Sequence, residues 1–158
     1  MNASEAPRVF LVVVDETVEM PVALYYASRR AVKTGGRVAL LRVIPREEGH
    51  GLASVEALMR EEARHEAEQL LERLAPTVTA DTGALPIMYL REGTTSEELL
   101  DLVNSDPSIS ILVLAAGTGP EGPGPLVSYL ASKAMAKLRI PMTIVPGNLS
   151  REQIDAIS

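Results

Sequence analysis

The chain has 158 residues, enough for one domain with a full core and too few for two. Its formal charge of −6 argues against a nucleic-acid partner, because phosphate backbones need a basic face. Cysteine is absent, which excludes disulfides, thiolate nucleophiles and cysteine-based zinc sites.

Residues 1–7 are polar and precede the first apolar run, so a disordered N-terminus is expected there. No signal-like apolar region is visible before that run, and no run reaches membrane-spanning length, so a cytoplasmic location is expected. Residues 9–14 (VFLVVV) are continuously apolar, the pattern of a strand buried on both faces of a parallel sheet, and they end at Asp15. A helix is predicted over 17–34, with Pro21 in its first turn and the Gly35–Gly36 pair as its stop. Its basic residues Arg29, Arg30 and Lys33 read as a solvated face rather than a phosphate-binding patch. Residues 38–44 (VALLRVI) form a second predicted strand, closed by Pro45. Residues 46–53 read as a mobile loop. A long, charged surface helix is predicted over 54–74, with Val55, Met59, Ala63, Ala67, Leu70, Leu71 and Leu74 as its apolar or small positions.

The third predicted strand is short, residues 87–90. Thr95 and Glu98 have the spacing of a capping box that opens a helix ending near Asn104. Residues 109–116 form a fourth apolar strand, followed by a glycine- and proline-rich loop, GTGPEGPGP, over 117–125. The next helix carries Val127, Leu130, Ala131, Ala134, Met135 and Leu138 at helical spacing. Residues 142–145 make a last short strand. The tail over 148–158 opens with a second capping box, Ser150 with Gln153, and reads as a short helix. The alternation of buried strands and helices over residues 8–147 predicts one α/β domain, a doubly wound parallel sheet with right-handed crossovers and helices on both faces.

Ligands of such sheets bind beyond the carboxyl ends of the strands, where strand order reverses. Asp15 and the 117–125 loop both lie at strand ends. A carboxylate there accepts hydrogen bonds from ribose hydroxyls or an adenine amine, although Asp15 also suits a simple capping or turn role. Glycine-rich backbone leading into a helix offers N–H groups to phosphate, with hydroxyls from Thr118 and Ser128 beside Gly117, Gly119, Gly122 and Gly124. Pro120, Pro123 and Pro125 each remove a donor, and Glu121 adds negative charge. The two histidines, His50 and His65, fall in a loop and on a charged helix. No nucleophile, base and acid assemble into a triad, so catalysis is not expected beyond slow nucleotide hydrolysis with Glu121 placing a water.

The segments VFLVVVDET, VALLRVIP, YLREGTTSEELLDLV, ILVLAAGTG and IPMTIVPG, in this order and spacing from about Arg8 to Pro146, resemble the universal stress protein family. That resemblance implies a five-stranded sheet in order 3-2-1-4-5, a homodimer paired through the last strand, and a role in stress response. It also implies ATP or AMP binding in some members, with no metal beyond nucleotide-bound Mg. By the same resemblance Asp15 matches the aspartate after strand 1. Val43 matches a backbone contact near the end of strand 2, and Gly117 the first glycine of a G-x2-G-x9-G-[ST] motif. Pro120 stands at the second glycine position, and Ser128–Tyr129 where the Gly-Ser pair would fall. The alternative is a nucleotide-free dimeric adaptor of the same fold, with a degenerate phosphate loop.

Overall fold

The computed structural model describes residues 6–46 and 51–158. Most of the expected disordered N-terminus and the histidine of the 46–53 loop lie outside the described residues. Five strands, β1 (Val9–Val13), β2 (Arg37–Ile44), β3 (Ile87–Glu92), β4 (Ile111–Ala116) and β5 (Met142–Pro146), pair in parallel in the order β3-β2-β1-β4-β5. The helices are α1 (Met20–Thr34), α2 (Ala53–Thr82), α3 (Thr95–Ser105), α4 (Pro125–Ser132) and α5 (Arg151–Ile157). The fold class and strand order implied by the resemblance are those of the structure.

All five β1 residues are buried because both sheet faces are covered. Alternation along the strands divides the core in two. Val9, Leu11 and Val13 pack with Ala39, Leu41 and Val43 beneath Leu99, Leu102, Val103 and Leu130 of α3 and α4. Phe10, Val12 and Val14 face the other way, against Ala23, Leu24, Ala27 and Ala31 of α1 and Leu71 and Val78 of α2. The alanines of α1 let that helix sit close to the sheet.

Five local expectations are corrected. The helix predicted from residue 17 begins at Met20, because Thr17 is held in a turn by Asp15; Pro21 lies in its first turn and Gly35, with φ of 68°, ends it. The second helix does not stop at Leu74 but runs through Pro76 to a left-handed Gly83. Burial of Val78 on the sheet, worth roughly 1.5–3 kcal/mol, is comparable with the roughly 3 kcal/mol that an interior proline costs. Thr79 and Thr82 hydroxyls donate to the carbonyls of Ala75 and Val78 in that last stretch. Conversely, Val55 and Met59, expected on the apolar stripe, are exposed; Ala67, Leu71 and Val78 are the helix's buried residues.

No capping box forms at Thr95. Thr94 occupies the cap without a side-chain hydrogen bond, and the Glu98 carboxylate turns to Arg91. The helix predicted through Leu138 ends at Ser132 and is followed by a single 3-10 turn, Met135–Lys137. Arg139 accounts for the break: its guanidinium donates to the carbonyls of Val103, Asp106 and Ile109 at 3.0–3.1 Å, fixing the chain across the end of α3 before it enters β5. The capping box of Ser150 and Gln153 is present at α5.

Candidate functional site

A parallel sheet points the carboxyl ends of all its strands to one rim, so the segments after β1, β2 and β4 and the entries to α3 and α4 meet there. The first carboxylate on that rim follows β1. Asp15 is partly buried, and its Oδ1 accepts from the Thr17 N–H at 3.0 Å and the Thr17 hydroxyl at 2.6 Å, an Asx turn that delays the start of α1. Both bonds fall on one oxygen. Oδ2 stays available to a ligand, so the turn role and the binding role are compatible.

Asp15 and Val43 line one cleft of about 480 Å³ together with Val13, Val14, Leu126 and Tyr129. The Val43 side chain is buried in the core, leaving its backbone at the rim. Three further groups line this cleft, of which only Tyr129 figured in the motif comparison. Thr94, Thr95 and Ser96 come from the entry to α3, Tyr129 from α4, and Arg42 from β2. The Arg42 guanidinium donates through Nη1 to the Val14 carbonyl at 3.3 Å, and its Nε is buried without a partner. The segment REGTTS follows a strand and starts a helix, and parallel topology places every such junction on this rim; that was the available signal.

The other expected residues gather in a neighbouring cleft of about 670 Å³, lined by Gly117, Thr118, Gly119, Gly122, Gly124 and Ser128 with Glu19, Glu121 and Gly147. A narrower hollow of about 120 Å³ shares lining residues with both, and is bordered by Asp15, Thr17 and Glu19 and by Pro123, Gly124 and Pro125. Pro125 borders all three spaces. Asp15 and the last residues of the glycine-rich loop, Pro123 to Pro125, therefore border one hollow.

The loop is closed partly on itself. The Gly117 N–H donates to the Pro123 carbonyl and the Gly122 N–H to that of Gly119, both at 3.1 Å. Three prolines contribute no donor. The N–H groups of Thr118, Gly119, Glu121 and Gly124 meet no backbone acceptor among the described residues. A side chain at Gly117 would place its Cβ 2.8 Å from the Gly122 carbonyl oxygen, so the cradle requires glycine there. Gly124, with φ of 106°, turns the chain into α4 in a conformation that side chains avoid. Unpaired donors leading into a helix suit a phosphate oxygen, and in this respect the residues present fit a nucleotide. Among the described residues no group of three or more His, Asp or Glu has metal-binding geometry, and no helix is long and apolar enough to cross a membrane. His65 is exposed on α2.

The sequence model of the Universal stress protein family matches residues 7–146. No curated protein matches the sequence. Among solved structures, the chain is similar to universal stress protein UspA from Lactobacillus plantarum, with a TM-score of 0.73 and 18% identity over 89% of this chain and 99% of that one. It is also similar to a universal stress protein in complex with cAMP, with a TM-score of 0.62 and 14% identity over 91% of this chain and 100% of that one. A family protein from Arabidopsis thaliana with AMP bound gives a TM-score of 0.58 and 12% identity, covering 89% and 92% of the two chains. At such identities the likeness is one of fold.

Proposed function

The chain belongs to the Universal stress protein family, and on that premise we propose that it is a stress-response regulatory module that binds an adenine nucleotide in the crevice between β1, β2 and β4. One observation carries this reading: Asp15 and the loop that delivers α4 border the same hollow, bringing a hydroxyl acceptor and free backbone donors into line. The base would lie against Val43 at the β2 end and the ribose at Asp15. The phosphate would then turn toward Gly124 and the cleft formed by Gly117, Thr118, Gly119, Gly122 and Ser128. Similar folds with AMP and cAMP bound support the ligand class. ATP is a further candidate, and metal enters this reading only as Mg2+ carried by a nucleotide. An acidic chain without cysteine suits the cytoplasm.

The test is thermal unfolding with AMP. A ligand specific for the folded state at a hundred times its Kd adds about 2.7 kcal/mol, which for a chain of this size raises Tm by about 5–10 °C. No shift with AMP, cAMP or ATP would leave the nucleotide-free adaptor as the reading. The same proposal includes a homodimer paired through β5. Among the described residues its outer edge has no neighbouring strand, and it carries Ile144 at 40% exposure, an apolar edge that needs cover. Sedimentation is expected to give a dimer for the wild type and a monomer for Ile144→Asp.

A further inference from the structure

The charged residues that border the crevice are unevenly placed. The cleft beside Val43 holds Arg42, the one basic residue among the described residues that line these three spaces. Among the described residues the loop end holds two carboxylates and no cation. Glu19, the residue that precedes α1, directs Oε1 to within 3.5 Å of where a Gly117 side chain would begin. Glu121 directs Oε2 to within 2.9 Å of the corresponding point at Gly119. The two acids thus stand beside Gly117, whose N–H is bonded to Pro123, and Gly119, whose N–H is one of those left free for an anion.

Glu19 is held in place. Its carbonyl accepts from the N–H groups of Val22 and Ala23 at the start of α1, and its Cβ packs against Gly147 after β5. This fixes the point from which the carboxylate extends toward the loop. Glu121 sits within the turn closed by Gly122 and Gly119, so its position follows from the loop.

A nucleotide lying along the crevice meets this charge in sequence. Its first phosphate comes to the Gly124–Pro125 junction, where Pro125 lines all three spaces and α4 offers its positive end. A second and third phosphate would extend toward Glu19 and Glu121, and each adds negative charge against a carboxylate in a partly enclosed space. We infer that Glu19 and Glu121 form a charge filter that makes the crevice select nucleoside monophosphates over di- and triphosphates. This rests on the crevice being a nucleotide site.

The experiment is calorimetric titration of the full chain with AMP, ADP and ATP in buffer containing EDTA, so that no divalent cation masks the phosphates. The wild type is expected to bind AMP at least about tenfold more tightly than ATP. Glu19→Gln with Glu121→Gln is expected to raise the ATP-to-AMP affinity ratio about tenfold, equivalent to ~1.4 kcal/mol. Glutamine keeps the shape and removes the charge. Should the double variant fail to fold, Glu121→Gln alone, at an exposed loop position, is expected to raise the ratio about threefold. Wild-type protein that binds ATP as tightly as AMP overturns the filter while leaving the nucleotide site intact, as does a ratio unmoved by the substitutions. Failure of both nucleotides to bind wild type and variant alike refutes the site itself and the filter with it.

Discussion

Replacing Asp15 by alanine separates two roles for one carboxylate. In the free protein Oδ1 holds Thr17 through two hydrogen bonds, and Thr17 is exposed, so water replaces most of what is lost. Two such bonds at the surface contribute about 0.5–1 kcal/mol together. For 158 residues this corresponds to a fall in Tm of about 1–4 °C. Ligand binding should suffer far more. A hydrogen bond from a ribose hydroxyl to a charged acceptor is worth about 1.5–3 kcal/mol, so AMP affinity should drop by about 10- to 150-fold. Asp15→Asn supplies the control. Its amide oxygen keeps the Thr17 turn while the charge is gone, so Tm should stay near wild type and affinity should fall between the other two. Calorimetric titration with AMP, paired with scanning calorimetry of the unliganded variants, measures both quantities. A loss of less than threefold in AMP affinity, alongside the lowered Tm, would mean that Asp15 only holds the turn.

Gly147→Ala tests the packing that positions Glu19. The added methyl would lie 2.5 Å from the Glu19 Cβ and 2.7 Å from the Ala116 carbonyl oxygen, which receives the Gly147 N–H. Overpacking of about 2 kcal/mol should lower Tm by about 4–8 °C; an unchanged Tm would mean the contact is relaxed at no cost. The pH dependence of stability should carry the mark of the Tyr89–Asp106 pair. Hydrogen bonds from the Ser108 hydroxyl, the Tyr89 hydroxyl and the Ser108 N–H hold the Asp106 carboxyl below its usual range. Its contribution is present above the ordinary carboxylate value of about 4 and is lost as pH falls through its lower folded value. Burial, then the bond to Asp106, pushes Tyr89 above its usual value. Its contribution is present below about pH 10 and is lost as pH rises through the folded value. Tyr25, raised by its bond to Asp155, has the same sign. Urea midpoints measured from pH 3 to 11 should fall at both ends, with a shallower alkaline limb in Tyr89→Phe/Tyr25→Phe; an identical limb would refute the assignment.

The glycine-rich loop marks the boundary between what residues signal by themselves and what their neighbours in space decide. Its four glycines are visible in the chain, and so is the donor lost at each proline. Which N–H groups remain free is not visible, because that depends on Gly117 closing onto Pro123 and Gly122 onto Gly119. Glu19 likewise carries no signal of its own. It is one acid near a helix start, and it meets the loop only because β4 and β5 bring Ala116, Gly117 and Gly147 beside α1. Thr95 with Glu98 reads as a local capping signal, whereas the position of Thr94, Thr95 and Ser96 beside Asp15 follows from β3 and β1 ending on the same rim.

The strands, the order of elements and the rim that bears the crevice were determined by the chain alone. Each follows from short-range patterns: continuous β-branched runs, a proline or glycine stop, and the rule that parallel strands end together. Tertiary structure decided where helices continue or break, and which side chains line the crevice. Pro76 is tolerated where Val78 gains burial on the sheet, and α4 ends early where Arg139 bonds three carbonyls of another segment. Such energies belong to contacts between residues distant in sequence, and so they exist only once the chain has folded.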